Sequence, residues 1–227
     1  MLEGLGVSKK EERESKEKKG IRITERDRKV IREIDRWRIV QGKHIKELAG
    51  FEGQRACDRR LRKLIEAGYI KREKILYGVA GIYRNTSKAK KIMAGGLSGV
   101  NNKIRIDQIM HDIAVVDTAI YFSKKYEINI KEIKTEVELH RADGFGTRKH
   151  RPDFVFEKDN TTICVEIELN LKAKKRFENN IRSNFENYDK QIWIVPGLEN
   201  KITKILMENK KIYPDIKTIE LSEIKIN

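Results

Sequence analysis

Arg151-Pro152-Asp153 is followed, 13 residues beyond its aspartate, by Glu166-Ile167-Glu168, and then by Leu169-Asn170-Leu171-Lys172. Carboxylates are hard oxygen donors. Asp153 and Glu166 supply two such ligands at a spacing that suits Mg²⁺ or Mn²⁺, with water left at the remaining positions for phosphodiester hydrolysis. Glu168 shares a strand face with Glu166, because side chains alternate with period two. Three acids side by side require a cation or a neighbouring ammonium such as that of Lys172. The alternative is a solvated acidic strand edge.

For these acids to meet, a hairpin has to lie between them. Phe154 to Phe156 and Thr161 to Leu169 alternate as two arms joined by Lys158-Asp159-Asn160, which brings Asp153 and Glu166 to one edge of a sheet. Upstream, Ile106, Ile109, Met110, Ile113, Val116 and Ile120 repeat as a helical stripe through about residues 104–125. Ile128, Ile130, Val137 and Leu139 read as one strand or two short ones. Glu136 and Glu138 would then lie on a charged outer face or add a ligand. Downstream come a helix with Ala173, Phe177, Ile181 and Phe185 four apart, a strand at Gln191 to Val195, a helix near 199–209 and a strand near 216–221. The order is αβββαβαβ, an α/β arrangement around a mixed sheet.

Charge divides the chain. Of the formal net charge of +15, residues 1–100 carry +13, leaving +2 for the rest. A surplus held in one half marks a nucleic-acid-binding module joined to a second unit. Thr24-Glu25-Arg26-Asp27 has the form of a helix N-cap with an acid at the third position, opening a helix at about 25–38. A short helix follows from His44 to Ala49, then a helix from Gly53 to Ala67 closed by Gly68. The third helix sets Ala56, Leu61, Leu64 and Ile65 against Arg55, Arg59, Arg60, Arg62 and Lys63. Tyr69 to Arg84 reads as a strand pair turning at Gly78 to Gly81, with Lys71, Arg72 and Arg84 on it. Helix, short helix, basic helix and hairpin in that order is the plan of a winged helix-turn-helix, whose basic helix enters the major groove of double-stranded DNA.

The chain thus divides into four units: a charged arm at 1–21, the winged helix-turn-helix at 22–94, a Gly/Asn-rich linker at 95–102 and the α/β unit at 103–227. No apolar run reaches the 18–20 residues of a membrane span, and the first residues lack a secretory apolar stretch, so the expected location is the cytoplasm. Cys57 and Cys164 stand 107 positions apart with no CxxC pair, which excludes a disulfide framework and reads as two small apolar fillers. Trp37 and Trp193 take core positions, and His44 a surface one. Two readings stand for His111-Asp112: positioning of water or phosphate, or packing at a helix end. His140 and His150 flank a basic loop, Arg141 to Arg151, that either touches a nucleic-acid backbone or is plain surface. Lys174, Lys175 and Arg176 are phosphate contacts or a solvated helix face.

Pro152-Asp153, Glu166-Ile167-Glu168 and the αβββαβ order resemble the PD-(D/E)XK nuclease superfamily. The resemblance implies that Asp153 and Glu166, with the Ile167 carbonyl, bind metal, with a lysine two positions later assisting the attacking water. Position 168 is Glu here, so Lys172 or Glu168 takes that part. The whole chain is similar to the replication-relaxation family of plasmids and other mobile elements. That similarity rests on Thr24 to Asp27, Arg59 to Ile70, His111-Asp112, Arg151 to Asp153, Val165 to Leu169, Lys172 and the Tyr188-Asp189 to Pro196 segment. It implies a DNA-binding protein acting in plasmid replication, relaxation or transfer, for which replication or transfer proteins are candidate partners. A second copy of the chain is another, since winged helices commonly meet a palindrome as a pair, although no dimer stripe is evident. Either the α/β unit is a Mg²⁺- or Mn²⁺-dependent endonuclease, or it keeps a nuclease fold for DNA binding or dimerisation in a replication accessory or transcriptional regulator.

Overall fold

A computed structural model of the chain describes residues 21–93, 104–144, 149–171 and 173–226. The charged arm up to residue 20, the linker, Lys172 and the tip of the loop after Arg141 lie outside the described residues. The architecture is mixed α+β, with helices packed on a three-stranded antiparallel sheet and on a five-stranded mixed sheet.

In the N-terminal half, α1 (Glu25–Trp37), β1 (Val40–Gln41), α2 (Gly42–Ala49), α3 (Gln54–Glu66), β2 (Ile70–Glu73), β3 (Ile82–Asn85) and α4 (Ser87–Ile92) follow one another. The strands lie in the order β1-β3-β2. The start of α1 is a capping box: Thr24 Oγ1 accepts from Asp27 N–H and the Asp27 carboxylate accepts from Thr24 N–H. Val30, Ile31 and Ile34 bury one side of it. Gly68 takes φ +74°, which lets the chain leave α3 for β2.

In the C-terminal half, α5 (Ile109–Lys125) precedes β4 (Lys134–Thr135), α6 (Glu136–Ala142), β5 (Phe154–Lys158), β6 (Thr161–Ile167), α7 (Lys174–Asn187), β7 (Lys190–Val195), α8 (Lys201–Lys210) and β8 (Ile216–Glu220). The sheet order is β4-β5-β6-β7-β8, antiparallel from β4 to β6 and parallel from β6 to β8. Asp159 and Asn160, both at positive φ, close the β5–β6 hairpin in the two-residue manner that matches strand twist. One sheet face meets α7 and α8 through Phe177, Ile181, Trp193, Val195, Ile202 and Leu206. On the other face, Phe154, Phe156, Val165, Ile192 and Ile194 join a cluster that includes α5 and continues into Trp37, Ile45 and Leu48 of the N-terminal half.

Four expectations change. Val137 and Leu139 are helical, because Thr135 caps α6 and Glu138 returns the bond to Thr135 N–H. Ile106 and Met110 are exposed while Ala114, Thr118 and Phe122 are buried, since α5 is covered on two sides, by α2 and β1 and by β6. Phe185 is exposed against the ring of Tyr213. The buried positions of α7 are Phe177, Asn180, Ile181 and Asn184, as a strict four-residue spacing drifts around a 3.6-residue helix. His44 is fully buried: its Nδ1 accepts from Gln41 N–H at 3.1 Å and its Nε2 meets Asp117 of α5 at 2.8 Å. Trp37, Trp193, Cys57 and Cys164 are buried as expected. Burial pushes the Cys57 thiol up to about 12 and moves the Cys164 thiol in the same direction, so both act as inert apolar filler.

Candidate functional site

Asp153 ends the approach to β5 and Glu166 is the penultimate residue of β6. Phe154 pairs with Val165 and Asp153 N–H donates to Val165 O at 3.1 Å, so the two acids stand opposite each other across the ladder. Asp153 Oδ2 accepts from Ile167 N–H at 2.7 Å. Glu166, 4% exposed, accepts at Oε1 from His150 Nε2 at 2.5 Å and from Asn184 Nδ2 of α7 at 3.0 Å. Glu168 follows the end of β6, is buried, and donates its N–H to Ile194 O of β7 at 2.9 Å. All three acids line one open, polar cavity of about 730 Å³.

The cavity is rich in charge of both signs. His111 of α5 sits between two acids, with Nδ1 3.2 Å from Asp112 and Nε2 3.4 Å from Asp153. Burial disfavours its imidazolium, but hydrogen bonds to Asp112 and Asp153 outweigh that and push its pKa up to about 10. Arg38, Arg105, Lys149, Arg151 and Arg176 complete the wall. Lys149 and Arg151 both reach Asp143, at 2.6 Å each, which holds the carboxylate below its usual range. Arg176 lies in the first turn of α7, exposed.

The donor set suits a hard divalent cation. Among the described residues, the bonds to Asp153 fall on Oδ2 and those to Glu166 on Oε1, which leaves Oδ1 and Oε2 for a ligand. No group of three or more His, Cys, Asp or Glu side chains forms a cage among the described residues. Mg²⁺ typically keeps several waters and takes one or two carboxylates, so a pair with a main-chain carbonyl is sufficient.

The basic residues of the N-terminal half divide into two kinds. Arg55, Arg59, Arg62 and Lys63 are exposed on α3, opposite its buried Cys57, Leu61 and Leu64. Arg60 departs from expectation: it turns aside to the buried Asp27, and its Nη2 also donates to Arg22 O at 3.0 Å. Burial works against the Asp27 carboxylate, but Arg60 and Thr24 hold its pKa below the usual range. Arg60 is thus a clasp between α3 and α1. On the strands, Lys71 pairs with Glu73, Arg84 lies near it at 3.7 Å, and Arg72 is exposed. Ala56 is exposed and Ile65 half-buried.

Three contributors escaped the sequence reading. Asn184 had a visible signal, a polar residue among Phe177, Ile181 and the apolar face of α7. Arg38 had none, because its place depends on how α1 ends. Asp117 belongs to a helix surface by sequence, yet it holds both Lys43, at 2.6 Å, and His44. Among the described residues no helix is long and apolar enough to cross a membrane. Scanned against protein-family models and searched against curated proteins, the chain matches none.

Proposed function

We propose that this chain is a DNA-binding protein of the replication-relaxation kind, acting in the replication, relaxation or transfer of a plasmid or other mobile element, with a metal-dependent endonuclease site of PD-(D/E)XK type. The observation that carries the reading is the facing pair Asp153 and Glu166, each with one oxygen held by protein donors, in a polar cavity with a cationic wall.

In this reading residues 22–94 form a winged helix-turn-helix. The order α1, β1, α2, α3, β2, β3 supports it, with α3 offering Arg55, Arg59, Arg62 and Lys63 to the groove. Strand β2 presents Lys71 and Arg72, and the β2–β3 connection a fully exposed Tyr77, to the flanking backbone. Asp153, Glu166 and the Ile167 carbonyl hold Mg²⁺ or Mn²⁺. When bound, such an ion polarises a phosphoryl oxygen and lowers the pKa of a coordinated water. Asn184 and His150 fix the Glu166 carboxylate, and Ile167 N–H fixes that of Asp153. Glu168 and Lys172 are the residues assigned to orienting the water, and Arg176 receives phosphate at the cavity wall.

Incubation of supercoiled and branched DNA with Mg²⁺, Mn²⁺ or EDTA tests this, using wild type and an Asp153→Asn/Glu166→Gln variant. Metal-dependent nicking by wild type, lost in the variant with DNA retention intact, is expected. Nicking that persists in the variant would remove these residues from the site. A second reading is favoured by one observation: Glu168 is buried where the nuclease pattern carries lysine. DNA retained by both proteins with no cutting would establish that reading, a binding protein on a nuclease scaffold that acts as regulator or replication accessory.

A further inference from the structure

The helix α1 ends abruptly. Arg38 has φ 61° and ψ −48°, and Ile39 N–H donates to Trp37 O at 2.6 Å across it. This is a γ-turn with positive φ, which is rare and strained for a residue that carries a Cβ. Such strain persists where the surroundings over-determine it. Here both flanks are fixed. Trp37 is buried edge-on to Phe154 and donates from Nε1 to Glu33 at 3.1 Å, and Ile39 is buried next to the turn. Arg36, also buried, donates to Glu138 at 3.0 Å, to Ile130 O at 3.0 Å and to Ile133 O.

The turn separates two arginines two positions apart. Arg36 points inward as a bolt between the halves. Arg38 emerges half-exposed into the cavity, lining it beside His111, Asp112 and Asp153. Among the described residues its partner is Glu136, at 3.2 Å, itself 45% exposed. An exposed pair of this kind contributes little to stability, so it does not account for the strained turn.

We infer that Arg38 is a phosphate-binding residue of the cavity, supplied by the N-terminal half, which grips the backbone of duplex DNA beside Asp153 and Glu166. The inference rests on the reading of that cavity given above. A guanidinium presents a planar fork that matches two phosphate oxygens, and it offsets the repulsion between a phosphate and the adjacent carboxylates. Glu136 occupies the fork when DNA is absent. Because the Arg60 clasp lies at the start of α1 and Arg38 at its end, the 13-residue helix separates the two by roughly 20 Å.

Anisotropy of a fluorescein-labelled duplex, titrated in EDTA over a salt series, tests the inference with Arg38→Ala, Arg38→Gly and Glu136→Gln, and thermal melts run alongside. Loss of one phosphate contact lowers the slope of log affinity against log salt by about 0.9 in both Arg38 variants. Arg38→Gly melts a few degrees above Arg38→Ala, because glycine accepts the positive φ. Glu136→Gln binds more tightly than wild type. DNA binding by Arg38→Ala and Arg38→Gly with the wild-type slope and affinity would overturn the inference and leave the DNA-binding reading standing. Wild type with no salt-dependent affinity for the duplex would overturn both.

Discussion

Two histidines each stand beside an aspartate, and their surroundings drive them in opposite directions. His44 is fully buried between α2 and α5. Burial lowers its pKa, and the Asp117 bond opposes this only in part. Its Nδ1 accepts from Gln41 N–H, which requires a lone pair there and fixes the neutral tautomer with the proton on Nε2. His111 offers both ring nitrogens to carboxylates, Asp112 and Asp153, and is charged well above neutral pH. A neighbouring aspartate does not by itself set a histidine's charge. The other nitrogen and the access of water decide it. His44 joins the two halves, whereas His111 offsets the charge of Asp112 and Asp153 at the cavity.

That contrast breaks most visibly at His44. His44→Ala removes a buried ring, a helix cap and one of the two partners of Asp117, and is expected to cost about 3 kcal/mol, read as a lower urea midpoint. A midpoint equal to wild type would remove His44 from the junction. Next in size is the pair of neighbours on α3. Arg60→Ala leaves Asp27 buried without its guanidinium and should cost about 2 kcal/mol in the same assay. Arg59→Ala should stay within about 0.5 kcal/mol and instead weaken affinity for duplex DNA. Equal stability losses at both positions would refute the division of α3 into a clasp and a contact face.

The pH dependence sharpens the comparison further. The folded pKa of His44 lies below its unfolded value, so the unfolded chain binds the extra proton first as pH falls. The stability contributed by His44 is complete above about pH 6.5 and is lost as pH falls through the folded value. The carboxylate of Asp117, held low by His44 and Lys43 against the effect of burial, adds a loss at still lower pH. Melting temperatures across this range should fall for wild type and fall less for His44→Gln. Parallel curves would show that His44 is not the titrating group. A small stability effect, below about 1 kcal/mol in the same urea assay, is expected for His111→Gln, because that side chain is part-exposed and so is its partner Asp112.

Much of the local structure was legible from composition and period. Thr24 with Asp27 announces a capping box, Gly68 a helix end, and Lys158-Asp159-Asn160 a hairpin connection, because each depends on residues within four positions. The same rule was available at Thr135 and Glu138, where strand-like alternation of Val137 and Leu139 competed with it and the cap prevailed. That a hairpin brings Asp153 and Glu166 to one sheet edge was legible too, but their direct pairing comes from a turn one residue shorter than the Lys158-Asp159-Asn160 connection, since Lys158 pairs with Thr161 in the ladder.

What residue order alone established is therefore short-range: where helices and strands start and stop, the basic face of α3, and the two acids a hairpin makes neighbours. Long-range packing settled the rest. It sent Arg60 to Asp27 and away from the contact face, buried His44 against a helix 73 residues later, and brought Arg38 into a cavity built by the other half. A hydrogen bond between distant positions depends on which apolar faces dock. Docking is governed by the summed burial of many side chains, such as Trp37 on Phe154, and not by any motif near the residues that end up in contact.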